Sequence, residues 1–212
     1  MTKVLLVGAS GLVGGELLQL LQGDERVTSI IAPTRRPLAA MHKLDNPHQE
    51  NLSAQLAALE SPVDIVFCCL GTTRKQAGSK EAFRHVDYQL VVESGIAGRR
   101  LGAQHMLVVS AVGADAHSLF FYNKVKGEME QALHQQNWPQ LTIARPSMLT
   151  GHRSSRRLLE EISAPLFKLL PGKLKGIEGK MVAQAMLRAA FAAPAPGVHV
   201  LESDQLRQNG AV

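Results

Sequence analysis

Residues 3–17 constrain the fold of this chain more than any other stretch. Four consecutive apolar residues, Val4 to Val7, run directly into Gly8, and an apolar pattern of helical period begins behind Gly11. The stretch therefore predicts a buried strand, a tight glycine turn and a helix N-terminus. Glycine allows positive φ and a close backbone approach to a ligand, while the first N–H groups of a helix attract an anion. We interpret Gly8, Gly11 and Gly14 as a dinucleotide pyrophosphate site; the alternative is a purely structural turn.

Strand and helix patterns alternate along the rest of the chain. At this spacing they predict an α/β fold with a doubly wound parallel sheet, a Rossmann fold, by the right-handed crossover rule. We expect a single domain over residues 1–212, with a small C-terminal helical lid within about 151–212. The later predicted strands are 27–32, 38–44, 63–70, 105–110 and 141–145, and the later predicted helices are 53–59, 79–101, 120–136, 156–169 and 179–192.

Composition sets the broad class of the protein. Of the 212 residues 45% are apolar and 19% charged, and no apolar run approaches the ~18 residues that suggest a membrane span. No export signal pattern precedes the first strand. The two cysteines, Cys68 and Cys69, are adjacent and not placed for a stapling disulfide; they are read as buried small residues, with reactive thiols as the alternative. These features predict a soluble, cytoplasmic protein.

The net charge of +5 raises the question of a nucleic-acid partner. The basic residues are spread along the chain, and aromatic residues make up only 4%, so stacking platforms for single strands are scarce. We therefore expect no nucleic-acid partner, and a site for phosphorylated or carboxylated small molecules explains the same charge. The histidines show no metal-ligand spacing, so no metal site is expected.

Arg35 and Arg36 follow the second predicted strand. In dinucleotide sites an acidic residue about twenty residues beyond the glycine turn binds the ribose 2′-hydroxyl, whereas an arginine accommodates a 2′-phosphate. Neither Asp nor Glu occurs within 33–37. The pair therefore favours NADP(H) over NAD(H), although two solvated loop arginines would give the same pattern.

Ser110, Tyr122 and Lys126 form the second group of candidate residues. Tyr122 and Lys126 are four residues apart on a predicted helix and share one face, while Ser110 ends a predicted strand, where parallel sheets present ligands. The lysine is expected to lower the pKa of the Tyr122 phenol and make it a proton donor to a carbonyl, with Ser110 holding the substrate oxygen. Taken alone, this spacing also arises in solvated helix pairs.

Five motifs in this order resemble the atypical short-chain dehydrogenase/reductase superfamily, within the branch of the Tat-interacting oxidoreductase and its bacterial relatives. They are G-A-S-G-L-V-G at 8–14, C-C-L-G-T-T at 68–73, Ser110, Y-N-K-V-K-G-E at 122–128 and A-R-P-S at 144–147. The resemblance extends over about residues 2–190, and its specificity lies in the combination of motifs.

The resemblance implies a set of cofactor contacts. It implies that Tyr122 exchanges the proton, that Lys126 also binds the nicotinamide ribose, and that Leu149 lies in a strand end that approaches the nicotinamide. Arg157 matches a basic position of the branch. The pyrophosphate is implied to lie against Ser10, Gly11, Leu12 and Val13, the 2′-phosphate against Arg35 and Arg36, and a ribose against Leu70 and Gly71.

One departure from the superfamily concerns the proton relay. Many members have an asparagine in the long middle helix, and the matching segment here offers Asp87. The acid–base pair remains, but the completeness of the relay is open. The sequence leads to two hypotheses: an NADP-dependent oxidoreductase acting on a small carbonyl or alcohol, or an NADPH-binding regulatory protein that controls a protein partner with little turnover.

The substrate and the oligomeric state are less constrained. His152, Arg153, Arg156 and Arg157 follow the sixth predicted strand, where a lid would cover the substrate, and they suggest an anionic substrate, although a solvated helix start fits equally well. The helices over 79–101 and 120–136 could form a two-fold interface, so both a monomer and a homodimer remain open.

Overall fold

A seven-stranded parallel sheet dominates the computed structural model, which describes residues 1–150, 176–192 and 195–211. The strand order is β3-β2-β1-β4-β5-β6-β9, which confirms the doubly wound α/β fold. Its strands are β1 (Thr2–Val7), β2 (Val27–Ile31), β3 (Leu44–Asp45), β4 (Ile65–Cys68), β5 (His105–Val109), β6 (Gln140–Arg145) and β9 (Gly197–Glu202). The short strands β7 (Leu149–Thr150) and β8 (Ile177–Glu178) pair with each other separately.

Helices lie on both faces of the sheet. One difference from the sequence prediction is that the helix expected over 79–101 is divided by a π-helical turn at His85–Gln89. Such turns are rare and frequently mark functional sites. The helices are α1 (Leu12–Gly23), α2 (Leu52–Ala58), α3 (Arg74–Ala77), α4 (Lys80–Arg84), α5 (Leu90–Arg100), α6 (Phe121–His134), α7 (Gly179–Phe191) and α8 (Ser203–Gly210).

The first strand divides the core into two halves because its side chains alternate between the two faces of the sheet. Val4 and Leu6 pack in the cluster that contains residues of α1 and α7. Leu5 and Val7 pack in the opposite cluster with residues of α5 and α6. All four side chains are fully buried, which is why the run is continuously apolar.

The C-terminal residues complete the parallel sheet. Residues 151–175, where much of the lid was predicted, lie outside the described residues. The final strand, Gly197–Glu202, pairs in parallel with β6 as the seventh strand of the sheet, and α7 packs against α1. Among the described residues, none of the helices has the length and apolar character needed to cross a membrane.

Candidate active site

The turn between β1 and α1 requires glycine at two positions. Gly8 has φ +87°, and a Cβ there would lie 2.7 Å from the carbonyl carbon of Cys69. A Cβ at Gly14 would overlap the carbonyl of Gly8. The amide of Gly11 donates to the carbonyl of Gly8 at 2.8 Å. The first glycine therefore allows the backbone conformation, and Gly14 allows the helix to pack closely against the turn.

The N-terminus of α1 is available to an anion. Gly11 is its N-cap and supplies no side-chain acceptor, and no acidic residue lies in the first turn. The first N–H groups of a helix, here those of Leu12 and Val13, have no carbonyl partner within the helix. Together with the helix dipole they can bind a phosphate group. The turn thus fits the pyrophosphate site predicted from the sequence.

The loop after β2 presents two arginines to solvent. Arg35 and Arg36 are exposed, and neither forms an ion pair with another described residue. Asn46 braces the loop by donating to the carbonyl of Ala32 at 2.6 Å and to Oγ1 of Thr34 at 2.8 Å. Thr34 in turn donates to the carbonyl of Arg36 at 2.6 Å. The guanidinium groups are therefore carried on a backbone that polar contacts hold in place.

A buried ion pair joins α6 to the π-helical turn, which in turn contacts the loop that follows β4. Nζ of Lys126 lies 2.7 Å from Oδ1 of Asp87, and the two side chains are only 3% and 1% exposed. Oδ2 of Asp87 accepts the backbone N–H of Thr72 at 2.9 Å. Thr72 directly follows Leu70 and Gly71, the residues implied for the ribose side. Asp87 thus brings Lys126 and this loop together, a role that the sequence pattern did not reveal.

The electrostatics of the tyrosine differ from the sequence expectation. Burial, the largest single effect, lowers the pKa of Lys126, but the Asp87 carboxylate, with smaller contributions from Tyr122 and Cys68, outweighs it, and the pKa is raised. The pKa of Tyr122 is also raised, first by burial, with Lys126 opposing and Asp87 reinforcing the shift. The expected lowering of the Tyr122 pKa is therefore wrong, because burial outweighs the effect of Lys126 and the Asp87 carboxylate opposes the lysine further. Tyr122 is a protonated phenol at neutral pH and can act as a proton donor.

Tyr122 is accessible although its ring is packed. Tyr122 and its neighbour Phe121 both pack on the buried Phe83. The ring centroid of Phe83 lies 5.7 Å from that of Tyr122 and 5.6 Å from that of Phe121. About 40% of the Tyr122 surface remains exposed. The ring is therefore positioned by Phe83 while solvent and a substrate can reach the residue.

Ser110 occupies a different polar network. Its hydroxyl donates to Oε1 of Glu130 at 2.5 Å, and the other carboxylate oxygen pairs with Nη2 of Arg145 at 2.6 Å. Arg145 also reaches Glu202 at 3.3 Å. The network links the end of β5, α6, β6 and the end of β9. Because the hydroxyl of Ser110 contacts Glu130, its role in holding a substrate oxygen stays a prediction.

The remaining predicted residues divide into described and undescribed ones. Leu149 lies in β7, half-buried, and pairs with Ile177. Arg157 lies outside the described residues, as do His152, Arg153 and Arg156. Cys68 is fully buried, and burial raises the pKa of its thiol to about 11. A thiol with so little thiolate is a poor nucleophile, in agreement with the interpretation of Cys68 as a packing residue.

A cavity of about 510 Å³ lies between α6 and the last strands of the sheet. Its lining includes Glu130, Arg145, Val198 and Val200, but neither Tyr122 nor Lys126. The glycine turn, the loop after β4 and the tyrosine lie elsewhere, at the ends of β1 and β4 and on the first turns of α6. We therefore place the candidate active site around Tyr122 and Lys126, not in this cavity.

Comparisons with known proteins identify the family of this chain. Protein FMP52-1, mitochondrial, of Scheffersomyces stipitis is 31% identical over 195 residues, which cover 87% of this chain and 86% of that protein. Protein HTATIP2 of Rattus norvegicus is 32% identical over 174 residues, which cover 80% of this chain and 72% of that protein. The chain belongs to the family of these two proteins. This confirms the branch that the five motifs indicated.

Two further similarities concern the fold of this chain. Residues 3–119 match the family described as semialdehyde dehydrogenase, NAD binding domain. A solved short chain dehydrogenase family protein from Francisella tularensis matches this chain with a TM-score of 0.73 and 11% sequence identity, and the match covers 97% of this chain and 98% of that chain. The chain therefore has the NAD(P)-binding Rossmann fold of an oxidoreductase.

The relatives overturn one sequence expectation. The chain was expected to be cytoplasmic, whereas FMP52-1 of Scheffersomyces stipitis and FMP52 of Lodderomyces elongisporus are both named as mitochondrial proteins. The expectation is therefore wrong. Its basis was the absence of an export pattern and of a disulfide framework, and neither feature distinguishes the cytoplasm from an organelle.

Proposed function

We propose that this chain is an NADP(H)-dependent oxidoreductase that interconverts a small carbonyl compound and its alcohol, with Tyr122 as the proton donor or acceptor. The observation that carries the proposal is the position of Asp87, which contacts Lys126 at 2.7 Å and the amide of Thr72 at 2.9 Å. The tyrosine–lysine helix thereby lies beside the loop at the carboxyl end of β4. Ligands of open parallel sheets bind at this end of the strands.

The cofactor would be held by three groups of residues. The N–H groups of Leu12 and Val13 would bind the pyrophosphate, and the close approach permitted by Gly8 and Gly14 supports this assignment. The exposed Arg35 and Arg36 would bind a 2′-phosphate, which supports NADP(H) over NAD(H). Leu70 and Gly71, with Lys126 and Leu149, would lie along the ribose and nicotinamide. The bound cofactor supplies or accepts the hydride.

The chain's own residues would manage the proton. In the reducing direction Tyr122 gives its phenolic proton to the carbonyl oxygen as hydride reaches the carbon, which produces the alcohol. The Lys126 ammonium then stabilises the phenolate. Because about 40% of Tyr122 is exposed, solvent can restore the proton. The raised pKa of Tyr122 keeps the phenol protonated at neutral pH, which is the form that carbonyl reduction requires.

The chain supplies its own control for this mechanism, because it contains only two tyrosines. We expect Tyr122→Phe to lower kcat for NADPH-dependent carbonyl reduction about 10²- to 10⁴-fold, the usual contribution of a general acid. Tyr88→Phe should retain the rate, since Tyr88 stacks with Arg84 and lies on the π-helical turn. The measurement is NADPH oxidation at 340 nm over a panel of aldehydes and ketones. Full activity of Tyr122→Phe would refute the mechanism.

A regulatory NADPH-binding protein is the second candidate, and one observation favours it. The hydroxyl of Ser110 is buried and donates to Glu130, so it would have to leave this contact to donate to a substrate. A protein partner captured only in the presence of NADPH, together with no turnover on the panel, would support this candidate over the enzyme.

A further inference from the structure

A small cationic pocket opens directly after the loop that follows β4. Its cavity of about 370 Å³ is lined by Arg74, Lys75, Gly78, Ser79 and Lys80. Three of these residues are cations and none is acidic. We define this group as the cation pocket.

The backbone brings these charges together. Helix α3 ends after a single turn at Gly78, which has φ +83° and donates its N–H to the carbonyl of Arg74 at 3.0 Å. Ser79 then caps α4 by accepting the amide of Ala82 at 3.0 Å. Because the chain reverses at Gly78, Lys80 returns to the same opening as Arg74. A side chain other than glycine would strain this reversal.

Two cations of the cation pocket, Arg74 and Lys80, have no carboxylate partner among the described residues. The adjacent Glu81 is exposed, and its pKa is lowered first by its own backbone N–H and by Ser79, with Lys80 as the weakest cause. Arg74 and Lys80 therefore create a positive potential at this opening, and such a potential concentrates small anions.

Aromatic contacts link the cation pocket to Tyr122. Nζ of Lys80 is 5.5 Å from the ring centroid of Phe121. Phe121 and Tyr122 both pack on Phe83, at 5.6 and 5.7 Å between ring centroids. A layer of aromatic rings therefore connects the pocket to Tyr122, and the loop containing Thr72 connects it to Asp87 and Lys126.

We propose that the cation pocket binds the anionic group, a phosphate or a carboxylate, of the carbonyl substrate and so directs its carbonyl towards Tyr122. This inference rests on the proposed function, and it names the substrate class of that same site. Arg74 supplies a planar donor fork that matches both oxyanions, and Lys80 supplies a second charge. The 2′-phosphate of the cofactor is assigned to Arg35 and Arg36, at the other end of the nucleotide site.

Amide NMR on the whole chain tests this proposal without a known substrate. Inorganic phosphate and acetate are titrated separately at constant ionic strength, first into the protein alone and then into the protein with NADPH. We expect saturable shifts at Arg74, Gly78 and Ser79 with at least one of the two probes, under both conditions. If only one of the two probes gives saturable shifts, that probe identifies the preferred anionic group.

A matched pair of variants sharpens the result. Arg74→Gln/Lys80→Gln should weaken probe binding by about tenfold or more, because it removes two charge-assisted donors. Lys124→Gln removes one charge from an exposed position on α6 outside the pocket and should leave the binding unchanged. Shifts that never saturate, or that the Lys124→Gln variant loses equally, would overturn the proposal.

Two outcomes separate this proposal from the proposed function. Displacement of phosphate by NADPH would assign the cation pocket to the cofactor and overturn it as a substrate site. Saturable phosphate binding in a protein that binds no NADPH would support the anion site while refuting the oxidoreductase. Once a reducible substrate is found, the Arg74→Gln/Lys80→Gln variant should raise KM for anionic carbonyl compounds about tenfold or more and leave KM for neutral ones unchanged.

Discussion

Replacing Asp87 by asparagine tests the electrostatic centre of the site. The substitution keeps the shape of the side chain and an oxygen that can accept the N–H of Thr72, but it removes the charge beside Lys126. Both members of the pair are almost fully buried, at 3% and 1% exposure. Breaking such a pair leaves an uncompensated charge and costs about 3–5 kcal/mol. We expect a loss of that size in the free energy of unfolding at pH 7.

The sign of the pH dependence makes this prediction sharper. In the wild type the pKa of Lys126 is raised above its unfolded value, so its contribution is complete below pH 10 and declines above it. In Asp87→Asn burial dominates and lowers the pKa of Lys126, so the unfolded state binds more protons. The stability of the variant should therefore rise between pH 7 and pH 10. In the wild type, Lys126 causes no such rise.

Urea unfolding followed by fluorescence of the single tryptophan, the buried Trp138, measures both effects. Asp87→Asn/Lys126→Met, which removes both charges, should recover most of the loss at pH 7. Glu128→Gln is the matched control, since it breaks the partly exposed Glu128–Arg84 pair and should cost only about 0–1 kcal/mol. A loss below about 1 kcal/mol in Asp87→Asn, or no recovery in the double variant, would refute the reasoning.

Two further predictions concern the buried histidine and the glycine turn. Burial, aided by His199, lowers the pKa of His105 to about 4. Because the folded protein favours the neutral imidazole, about 3 kcal/mol of the free energy of unfolding should be lost as the pH falls from 6.5 to 4. The free energy of unfolding of His105→Gln, measured in urea, should depend less on pH over this range than that of the wild type. An equal pH dependence in the two proteins would contradict the assignment. Gly8→Ala should abolish NADPH binding, measured by nucleotide fluorescence, because its Cβ would lie 2.7 Å from the Cys69 carbonyl carbon. Gly23→Ala, with no atom within 4 Å of the added Cβ, should bind normally, and equal loss in both variants would argue against the close approach.

The parts of the fold that depend on residues close together in the sequence were predictable. The run from Val4 to Val7 is apolar at every position, and Gly8 follows it, so the strand and the turn were evident before any tertiary contact was known. Ser79 likewise signalled the N-terminus of α4. Interruptions were not predictable, because the π-helical turn at His85–Gln89 interrupts a continuous helical pattern.

The electrostatics of the site depended on distant residues and were therefore missed. Asp87 lies 39 positions before Lys126, and only the folded chain shows that its carboxylate compensates the lysine. The predicted direction of the Tyr122 pKa was wrong first because tertiary packing buries part of the residue, and second because Asp87 adds a negative charge beside Lys126. Ser110 similarly finds Glu130 in the next helix, and no local pattern reveals that pairing. The sequence identified the types of residue in the site, whereas the structure supplied their partners.

Nucleotide selectivity is the measurement that tests the account most directly. Purified wild-type protein and Arg36→Ala are titrated with NADPH and NADH, followed by nucleotide fluorescence and by thermal shift. We predict that the wild type binds NADPH more tightly than NADH, and that Arg36→Ala weakens NADPH binding by about tenfold or more while NADH binding is unchanged, because only NADPH offers the 2′-phosphate. Equal loss for both nucleotides would contradict the 2′-phosphate assignment, and failure of the wild type to bind either nucleotide would contradict the account as a whole.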